Sequence, residues 1–274
     1  MHLTSDLFRL LRIEYLFSVL IPCLLAILLN DYEITQHLWI LAGFGFYAIT
    51  GNTLNDFIDM RDPNEKETLA RVKGYSRKEI LTLALASFVL GTMCFMNDIV
   101  IKPILAIYLT IIVFMVIFYV FFKTLVIINH IILGVSHIVL PWFMVKINAG
   151  DVVMNIFPAM DVNESLILAS LISVAYTGQM IHEMIDGDSL SKLKARSSQI
   201  VIWITCIISI SIAITSLIIV GNLVFLPIIF FPIGIMYIFR TPRNNLLGRS
   251  SLKDIGIILG NLMFAYILIL ILAS

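Results

Sequence analysis

Long, uninterrupted runs of apolar residues are the feature that most constrains the fold of this chain. Each run approaches the roughly 20 residues that an α-helix needs to cross a hydrocarbon layer of about 30 Å. Only helices and closed β-barrels satisfy their backbone hydrogen bonds in lipid, and runs without apolar–polar alternation are helices. The sequence therefore predicts an all-α integral membrane protein with about nine transmembrane helices, over residues 12–29, 37–55, 79–97, 100–121, 124–146, 165–184, 199–219, 223–239 and 255–273.

The composition excludes an ordinary soluble domain of the same length. Of the 274 residues, 60% are hydrophobic and 13% are charged, and the mean hydropathy is +1.01. A soluble domain carries roughly 45–50% apolar and about 25% charged residues. The first apolar run has no small-residue cleavage site behind it, so we expect no cleaved signal peptide. No linker divides the chain, and we expect a single transmembrane domain over residues 1–274, with membrane lipid and no nucleic acid among its partners.

The basic residues indicate how the helices are oriented. If the N-terminus is cytoplasmic and nine helices alternate, all but two of the 18 Lys and Arg residues lie in cytoplasmic segments. The two exceptions are Lys102 and Lys146. This distribution is the one that the positive-inside rule predicts for a correct helix count. We therefore expect a multi-pass protein of the plasma membrane whose N-terminus and motif-bearing loops are cytoplasmic.

Two acidic helix ends share one sequence pattern. Residues 48–59 read AITGNTLNDFID and residues 175–186 read AYTGQMIHEMID, with Ala, Thr, Gly, Ile and the last Asp identical at a constant offset of 127 residues. The offset spans four predicted helices, so both copies run in the same direction. The pattern predicts a parallel internal repeat whose acidic motifs are carried by the second and sixth helices.

Helical spacing places the polar residues of each copy on one face of a helix, because i, i+3, i+4 and i+7 lie one above the other. The first copy contributes Asn52, Asn55, Asp56 and Asp59, and the second contributes Gln179, His182, Glu183 and Asp186. Asp62 and Asp188 extend the two clusters into the loops. Solvated helix ends are the simpler interpretation of one cluster, but two matching clusters favour a shared site.

Carboxylates gathered around one cavity need cations between them. Carboxylate and amide oxygens without thiolates select a hard ion, and Mg²⁺ typically binds through a few carboxylates plus substrate phosphates. His182 is expected to be a neutral hydrogen-bonding partner. The sequence therefore predicts a Mg²⁺–diphosphate site.

Basic side chains that could bind the remaining phosphate oxygens follow both clusters: Arg71, Lys73, Lys192, Lys194 and Arg196. Such loop residues are more commonly topology signals than ligands. Tyr119 and Lys123, at i and i+4, lie at the cytoplasmic end of the fourth predicted helix and at membrane depth. This pair is the better candidate for diphosphate binding.

These motifs together resemble those of the UbiA-type intramembrane prenyltransferases. Residues 55–59 fit the first half of N-D-x-x-D-x-x-x-D, with Asp62 one residue earlier than the last Asp of that motif. Residues 182–188 are similar to a shortened second acidic motif, and residues 74–77 to a G-x-[IV]-S segment. Tyr119 and Lys123 match Y-x-x-x-K, whereas residues 69–72 replace the usual Arg-Pro.

The resemblance implies a ring of nine helices around a central cavity that opens to the membrane. It implies that Mg²⁺ binds an isoprenyl diphosphate, that the C–O bond ionises, and that an aromatic or lipid-alcohol acceptor captures the allylic cation. It assigns metal binding to Asn55, Asp56, Asp59, Asp62, Glu183, Asp186 and Asp188. It assigns substrate binding to Asn52, Asn55, Arg71, Lys73, Lys123, Gln179, His182, Lys192 and Arg196. Its catalytic residues are Asp56, Asp59, Glu183, Asp186, Lys123 and Tyr119.

Two other functions stay open at this point. A terpene cyclase on the same scaffold would ionise the same donor without an acceptor and would stabilise the carbocation with aromatic walls. Candidates for such walls are Phe44, Phe46, Tyr47, Phe114, Phe118, Tyr119, Phe121 and Phe122. A non-enzymatic transporter would also use intramembrane acids on a repeated scaffold, although here the acids lie at one face and not at the midplane.

Overall fold

The chain is almost entirely α-helical in a computed structural model that describes residues 9–63, 65–122, 126–186, 189–243, 246 and 250–273. Within these residues the α-helices are α1 (Phe17–Leu29), α2 (Leu38–Asp59), α3 (Lys66–Arg71), α4 (Arg77–Ile101), α5 (Ile104–Phe122), α6 (Val126–Gly134), α7 (Leu140–Ala149), α8 (Val162–Asp186), α9 (Ala195–Val220), α10 (Pro227–Ile238) and α11 (Ser250–Ala273). A π turn (Val135–Val139) joins α6 to α7 in one continuous helix. A short antiparallel hairpin, β1 (Val152–Val153) and β2 (Phe157–Pro158), precedes α8. The all-α class predicted from the apolar runs is confirmed.

Each of the nine predicted runs overlaps a helix, but the helices differ in how well they suit a membrane. Within the described residues, five are long and apolar enough to cross one by length and composition: Arg77–Ile101, His130–Ala149, Val162–Ile185, Ala195–Val220 and Ser251–Ala273. Three shorter apolar helices are Ile13–Leu29, Ile104–Tyr119 and Leu223–Ile238. Helix α2 falls in neither group, because its polar stripe lowers its hydropathy. The count of nine crossings therefore stays a prediction.

Helix α4 is longer than the sequence predicts. It continues through Asn97 and Asp98 and ends at Ile101, where the Lys102 amide donates to the Asp98 carbonyl at 2.8 Å. Pro103 then precedes α5, and proline has no amide hydrogen with which to continue the ladder. The break falls at the proline because isolated polar residues do not by themselves end a helix.

The helix through the centre of the bundle is α6–π–α7. Of the five candidate spans it is the most enclosed: 61% of its window is buried inside the protein, against 6% for the span in α11. Helix α1 packs against α7 and α11, and α8 packs along α9 and against α6. Apolar side chains from α1, α5 and α7 form most of the main core, and α2 and α4 add to it. The central helix can therefore position residues of the functional site.

Glycines bring α2 and α4 into close contact. A Cβ added to Gly91 would lie 2.5 Å from the ring of Tyr47, and one added to Gly43 would lie 2.6 Å from the ring of Phe95. No side chain fits at either position without displacing an aromatic ring. The absence of a Cβ therefore permits the close approach of these two helices.

A buried polar network ties the helices together near the hairpin. Lys146 in α7 contacts Glu164 in α8 at 2.5 Å and Asp151 beside the hairpin at 2.6 Å. Asn30, which follows α1, donates to Glu164 at 2.8 Å, and the indole of Trp142 donates to the same carboxylate at 3.0 Å. Lys146 and Glu164 are 1% and 3% exposed, so each buried charge has partners on several elements.

These contacts show that α2 and α8 finish at the same end of the bundle. The Asn30–Glu164 contact joins the end of α1 to the start of α8, so α1 and α8 run antiparallel. The start of α1 lies beside the end of α2, where Arg12 approaches Asp56. We call this end, marked by Asp59 and Asp186, the motif end. The other end is the hairpin end.

Candidate functional site

The carboxylate of Asp56 is fully buried in the last turn of α2 and is held by two arginines. Arg71, at the end of α3, donates from Nε to Oδ2 at 3.0 Å and from Nη2 to Oδ1 at 2.7 Å. Arg12 Nη1 lies 3.8 Å from Oδ1. Burial alone would lower the pKa of Arg71, but its hydrogen bonds to Asp56 and the charge of that carboxylate raise the pKa on balance. This is a two-bond ion pair of the kind that guanidinium forms with carboxylates and phosphates.

The rest of the first stripe lies along the same helix. Asn55 donates to Asp59 Oδ2 at 2.7 Å, and Asp59 is buried. Asn52 donates to the backbone carbonyl of Arg12 at 3.5 Å. Asp62 is exposed on the turn that follows α2, with its amide bonded to the Asp59 carbonyl at 2.9 Å. The stripe therefore faces the segment before α1.

The second stripe is positioned by a residue of the central helix. His130 in α6 donates from Nε2 to Glu183 Oε1 in α8 at 2.9 Å. The His130 ring also packs edge-on against Tyr176, which lies seven residues before Glu183 on α8, with ring centroids 5.0 Å apart. His130 is 7% exposed, and its Nδ1 has no hydrogen-bond partner in the part of the chain that the structure describes. This contact fixes the orientation of Glu183.

Helix α8 ends at Asp186, just as α2 ends at Asp59, which is the matching position of the predicted repeat. Gln179 and His182 are half-buried on α8. The side chain of Asp186, and Asp188 and Lys123 as a whole, lie outside the described residues. Their predicted metal and diphosphate roles stay predictions.

The predicted basic residues differ in placement. Arg71 contacts the first acidic motif directly, as given above. Lys73, Lys192 and Arg196 are exposed on the surface near the ends of α3, α8 and α9. Tyr119 is half-buried near the end of α5. Arg71 is therefore the basic residue whose geometry best supports a role in the site.

Two residues of the site were missing from the predicted set. The sequence gives Arg12 no role in the site, yet its guanidinium lies beside Asp56 and 4.5 Å from the Tyr15 ring, on a residue with a left-handed backbone (φ 52°). His130 is an ionisable residue inside an apolar run, a signal that by itself points to function. Neither pairing follows from helical spacing, because each joins segments far apart in the chain.

A cavity of about 420 Å³ lies next to Arg71 at the motif end. Its lining carries charges of both signs and consists of Arg9, Glu14, Tyr15, Lys66, Glu67, Ala70, Arg71, Lys253, Asp254 and Ile257. Lys253 of α11 contacts Glu67 of α3 at 2.9 Å across it. Arg71 thus lies between a buried carboxylate and a space large enough for a polar ligand.

The donor chemistry of the two motifs fits Mg²⁺. Within the described residues, no three His, Cys, Asp or Glu side chains lie close enough together to form a metal cage. Mg²⁺ does not need one, because it usually binds through one or two carboxylates and completes its shell with phosphate oxygens and water. Asp56, Asp59 and Glu183 supply carboxylates, and Asn55 supplies an amide. The residues therefore suit a metal ion that arrives together with phosphate.

Comparison with known proteins finds a family and solved structures that resemble this chain. Residues 19–251 match the UbiA prenyltransferase family. The fold resembles the structure of a UbiA homolog from Archaeoglobus fulgidus bound to GPP and Mg²⁺ (TM-score 0.70) and the same homolog bound to DMAPP and Mg²⁺ (TM-score 0.68). Each is 14% identical in sequence, with 97% of this chain and 99% of that chain covered. No curated protein matches this sequence. The match extends over most of the chain and includes both acidic motifs, and the protein therefore belongs to the UbiA prenyltransferase family.

Proposed function

We propose that this protein is a Mg²⁺-dependent intramembrane prenyltransferase that transfers an isoprenyl group from an isoprenyl diphosphate to an aromatic or lipid-alcohol acceptor. The observation that carries the proposal is the buried Asp56–Arg71 pair, because it holds a metal-binding group and a phosphate-binding group against each other. The A. fulgidus homolog, which has the same fold, was bound to GPP, DMAPP and Mg²⁺, and this supports the same class of donor.

The pair would exchange partners when the donor binds. Asp56, with Asn55 and Asp59, would hold a metal ion at the end of α2, and Glu183 with Asp186 and Asp188 would hold one at the end of α8. Mg²⁺, when bound, neutralises diphosphate charge and makes the diphosphate a better leaving group. Arg71 would then bind phosphate oxygens with the same two-bond geometry that it shows toward Asp56.

The chemistry requires heterolysis of the C–O bond at the allylic carbon. The electron pair leaves with the diphosphate, whose growing charge is stabilised by Arg71, and by Lys123 and Tyr119 if these bind as predicted. The acceptor then forms a bond to the allylic cation and loses a proton. The apolar helices around the site exclude the water that would otherwise capture the cation.

Two of the candidate aromatic residues favour a transferase over a cyclase. Phe44 is buried in an edge-on contact with Phe95, at 5.2 Å between centroids, in the packing of α2 on α4. Phe114 is 74% exposed on α5. Phe44 therefore serves helix packing and Phe114 the outer surface, so neither of these two supplies an aromatic wall for a carbocation. A transporter is disfavoured by the match to a family of enzymes.

We also place the site at the cytoplasmic face of the plasma membrane. The motif end carries Arg12, Arg71 and Lys253, whereas the hairpin end carries Lys102 and Lys146 among the basic residues. The excess of basic residues at the motif end supports this orientation.

Pyrophosphate release tests the proposal. Purified protein in detergent is given geranyl, farnesyl or geranylgeranyl diphosphate, with Mg²⁺ or with EDTA, alone and with hydroxylated aromatic or lipid-alcohol acceptors. We expect Mg²⁺-dependent release that Asp56→Ala and Asp186→Ala abolish. Asp98→Asn, a buried acid near the hairpin end, is the matched control and is expected to retain activity.

Two results would contradict the proposal. Release that is unchanged by EDTA, or by Asp56→Ala, would show that the motif does not act on the donor. A cyclised hydrocarbon or alcohol formed from farnesyl diphosphate alone would replace the transferase assignment with a cyclase.

A further inference from the structure

The cavity of about 420 Å³ at the motif end is enclosed by three segments that are far apart in the chain. Its walls are the segment before α1, the short helix α3 and the first two turns of α11. At roughly 30 Å³ per water molecule, it has the volume of about 14 waters. This is room enough for a phosphate group that carries a small amino alcohol. The proposed reaction uses the wall of this cavity only at Arg71.

The lining contains charged side chains of both signs that form no ion pair within the described residues. Two of them are basic and two are acidic: Arg9, Lys66, Glu14 and Asp254. The other charged members are engaged, since Lys253 contacts Glu67 at 2.9 Å and Arg71 binds the carboxylate behind it. The two acids would repel a simple anion, and the two basic residues would repel a metal ion. Such a lining suits a ligand that carries one charge of each sign.

The cavity lies where α11 enters the membrane. The candidate span in α11 begins at Ser251, so Asp254 and Ile257 belong to its first two turns. Asp254, Ile258 and Leu262 lie at i, i+4 and i+8 along one stripe of the helix, and all three are exposed. The stripe leads from the cavity along the outer surface of the least buried candidate span. A molecule with its charged head in the cavity would therefore have an apolar surface beside it for hydrocarbon chains.

We propose that the cavity binds the headgroup of a membrane phospholipid that carries ethanolamine. Its phosphate would accept hydrogen bonds from Arg9 and Lys66, and its ammonium would donate to Glu14 and Asp254. The ammonium of ethanolamine has three N–H donors for these carboxylates, whereas the quaternary ammonium of choline has none. An anionic headgroup without an amine would leave both acids facing its charge.

The inference goes beyond the proposed reaction and does not depend on it, because none of these four side chains takes part in that chemistry. The lipid would join α3 to α11, as the Lys253–Glu67 contact does, and would also reach the segment before α1. It would thus hold in place the short helix that carries Arg71.

Competition among lipids with identical chains tests the proposal. Purified full-length protein in detergent is incubated with equal amounts of dioleoyl phosphatidylethanolamine, phosphatidylcholine and phosphatidylglycerol. The lipids that stay bound after gel filtration are then counted by mass spectrometry. We expect the ethanolamine lipid to be enriched about tenfold over each of the others, as one added charge-assisted hydrogen bond allows. Free phosphoethanolamine in about tenfold excess is expected to displace little of it, because it has no apolar chains to bury.

Substitutions that remove charge assign the preference to the lining. Glu14→Gln combined with Asp254→Asn should abolish the preference for the ethanolamine lipid and leave one for phosphatidylglycerol, because the basic residues remain. Arg9→Gln combined with Lys66→Gln should lower the retained ethanolamine lipid about threefold or more, because the phosphate loses its donors.

Two matched controls lie at the same end of the bundle but outside the lining. Lys78 and Glu79 are exposed in the first turn of α4. Lys78→Gln and Glu79→Gln remove one charge of each sign, and glutamine at the second position can keep the capping box with Ser76. Both variants should retain the tenfold preference.

Three results would overturn the proposal. The first is an ethanolamine lipid that is not enriched over the other two, and the second is an enrichment that persists in the Glu14→Gln, Asp254→Asn variant. The third is full displacement by free phosphoethanolamine, which would assign the cavity to a soluble zwitterion. Should the acidic double variant not fold, unchanged retention in the Arg9→Gln, Lys66→Gln variant overturns the proposal and a threefold loss supports it.

Discussion

Arg71 binds both carboxylate oxygens of Asp56, so the short helix α3 is held on the end of α2 by groups that the proposed reaction also needs. Arg12 approaches the same carboxylate at 3.8 Å. Removal of one partner from a buried pair is costly, because it leaves the other charge uncompensated. Under the proposed function, the ion pair would couple the stability of the motif end to the occupancy of the site.

A double-mutant cycle measures this coupling. We expect Arg71→Gln and Asp56→Asn each to lower the free energy of unfolding by about 3 kcal/mol, and the double variant to lose clearly less than the sum, since it leaves neither residue of this pair as an uncompensated charge. Thermal unfolding in detergent gives the three values. Strictly additive losses would mean that the two residues do not stabilise each other.

His130 is expected to act through Glu183. His130→Leu removes the hydrogen bond that orients this carboxylate, and we expect the Mg²⁺ concentration for half-maximal pyrophosphate release to rise about 10- to 100-fold, as for other residues behind metal ligands. His130→Gln should restore much of the affinity through its amide hydrogen. A loss of turnover with unchanged Mg²⁺ dependence would show that His130 does not position a metal ligand.

The Lys146–Glu164 pair is expected to matter for stability and not for turnover. Glu164→Gln leaves a buried ammonium with reduced compensation and should cost about 3 kcal/mol. Lys253→Met breaks the outlying pair with Glu67, whose side chain is 61% exposed, and should cost no more than about 1 kcal/mol. Unfolding in detergent compares the two, and equal losses would contradict the distinction between buried and exposed pairs.

The close contact of α2 and α4 predicts that Gly91→Ala is destabilising by about 1–3 kcal/mol, because its Cβ would lie 2.5 Å from the Tyr47 ring and 3.1 Å from the Gly43 carbonyl. Gly45→Ala is the control, since no atom lies within 4 Å of its added Cβ. It should be neutral or stabilising, as alanine favours the helix. Similar effects of the two substitutions would show that the helices can separate without cost.

The sequence pattern predicts some helix ends and not others. The ends of α2 and α8 at Asp59 and Asp186 follow from the repeated motif, because the change from apolar to acidic residues marks a helix end. The continuation of α4 through Asp98 does not, since one polar residue changes helix propensity only slightly.

Helical periodicity could not predict which residues pair at the site. Arg12 meets Asp56 across 44 residues, and His130 meets Glu183 across 53. Helical spacing orders residues within one helix and is silent about which helices become neighbours. The acidic residues could thus be proposed from sequence, whereas the groups that hold them became visible only with the fold.

The buried network around Lys146 makes the hairpin end of the bundle differ from the motif end in how its helices are held together. At the hairpin end, α1, α7 and α8 are cross-linked by charge-assisted hydrogen bonds within the protein. At the motif end, the principal cross-link is one that the substrate itself would replace. Selection for heat tolerance and selection for faster exchange of substrates can therefore act on separate residues, and a thermostable variant altered near the hairpin need not be a slower enzyme.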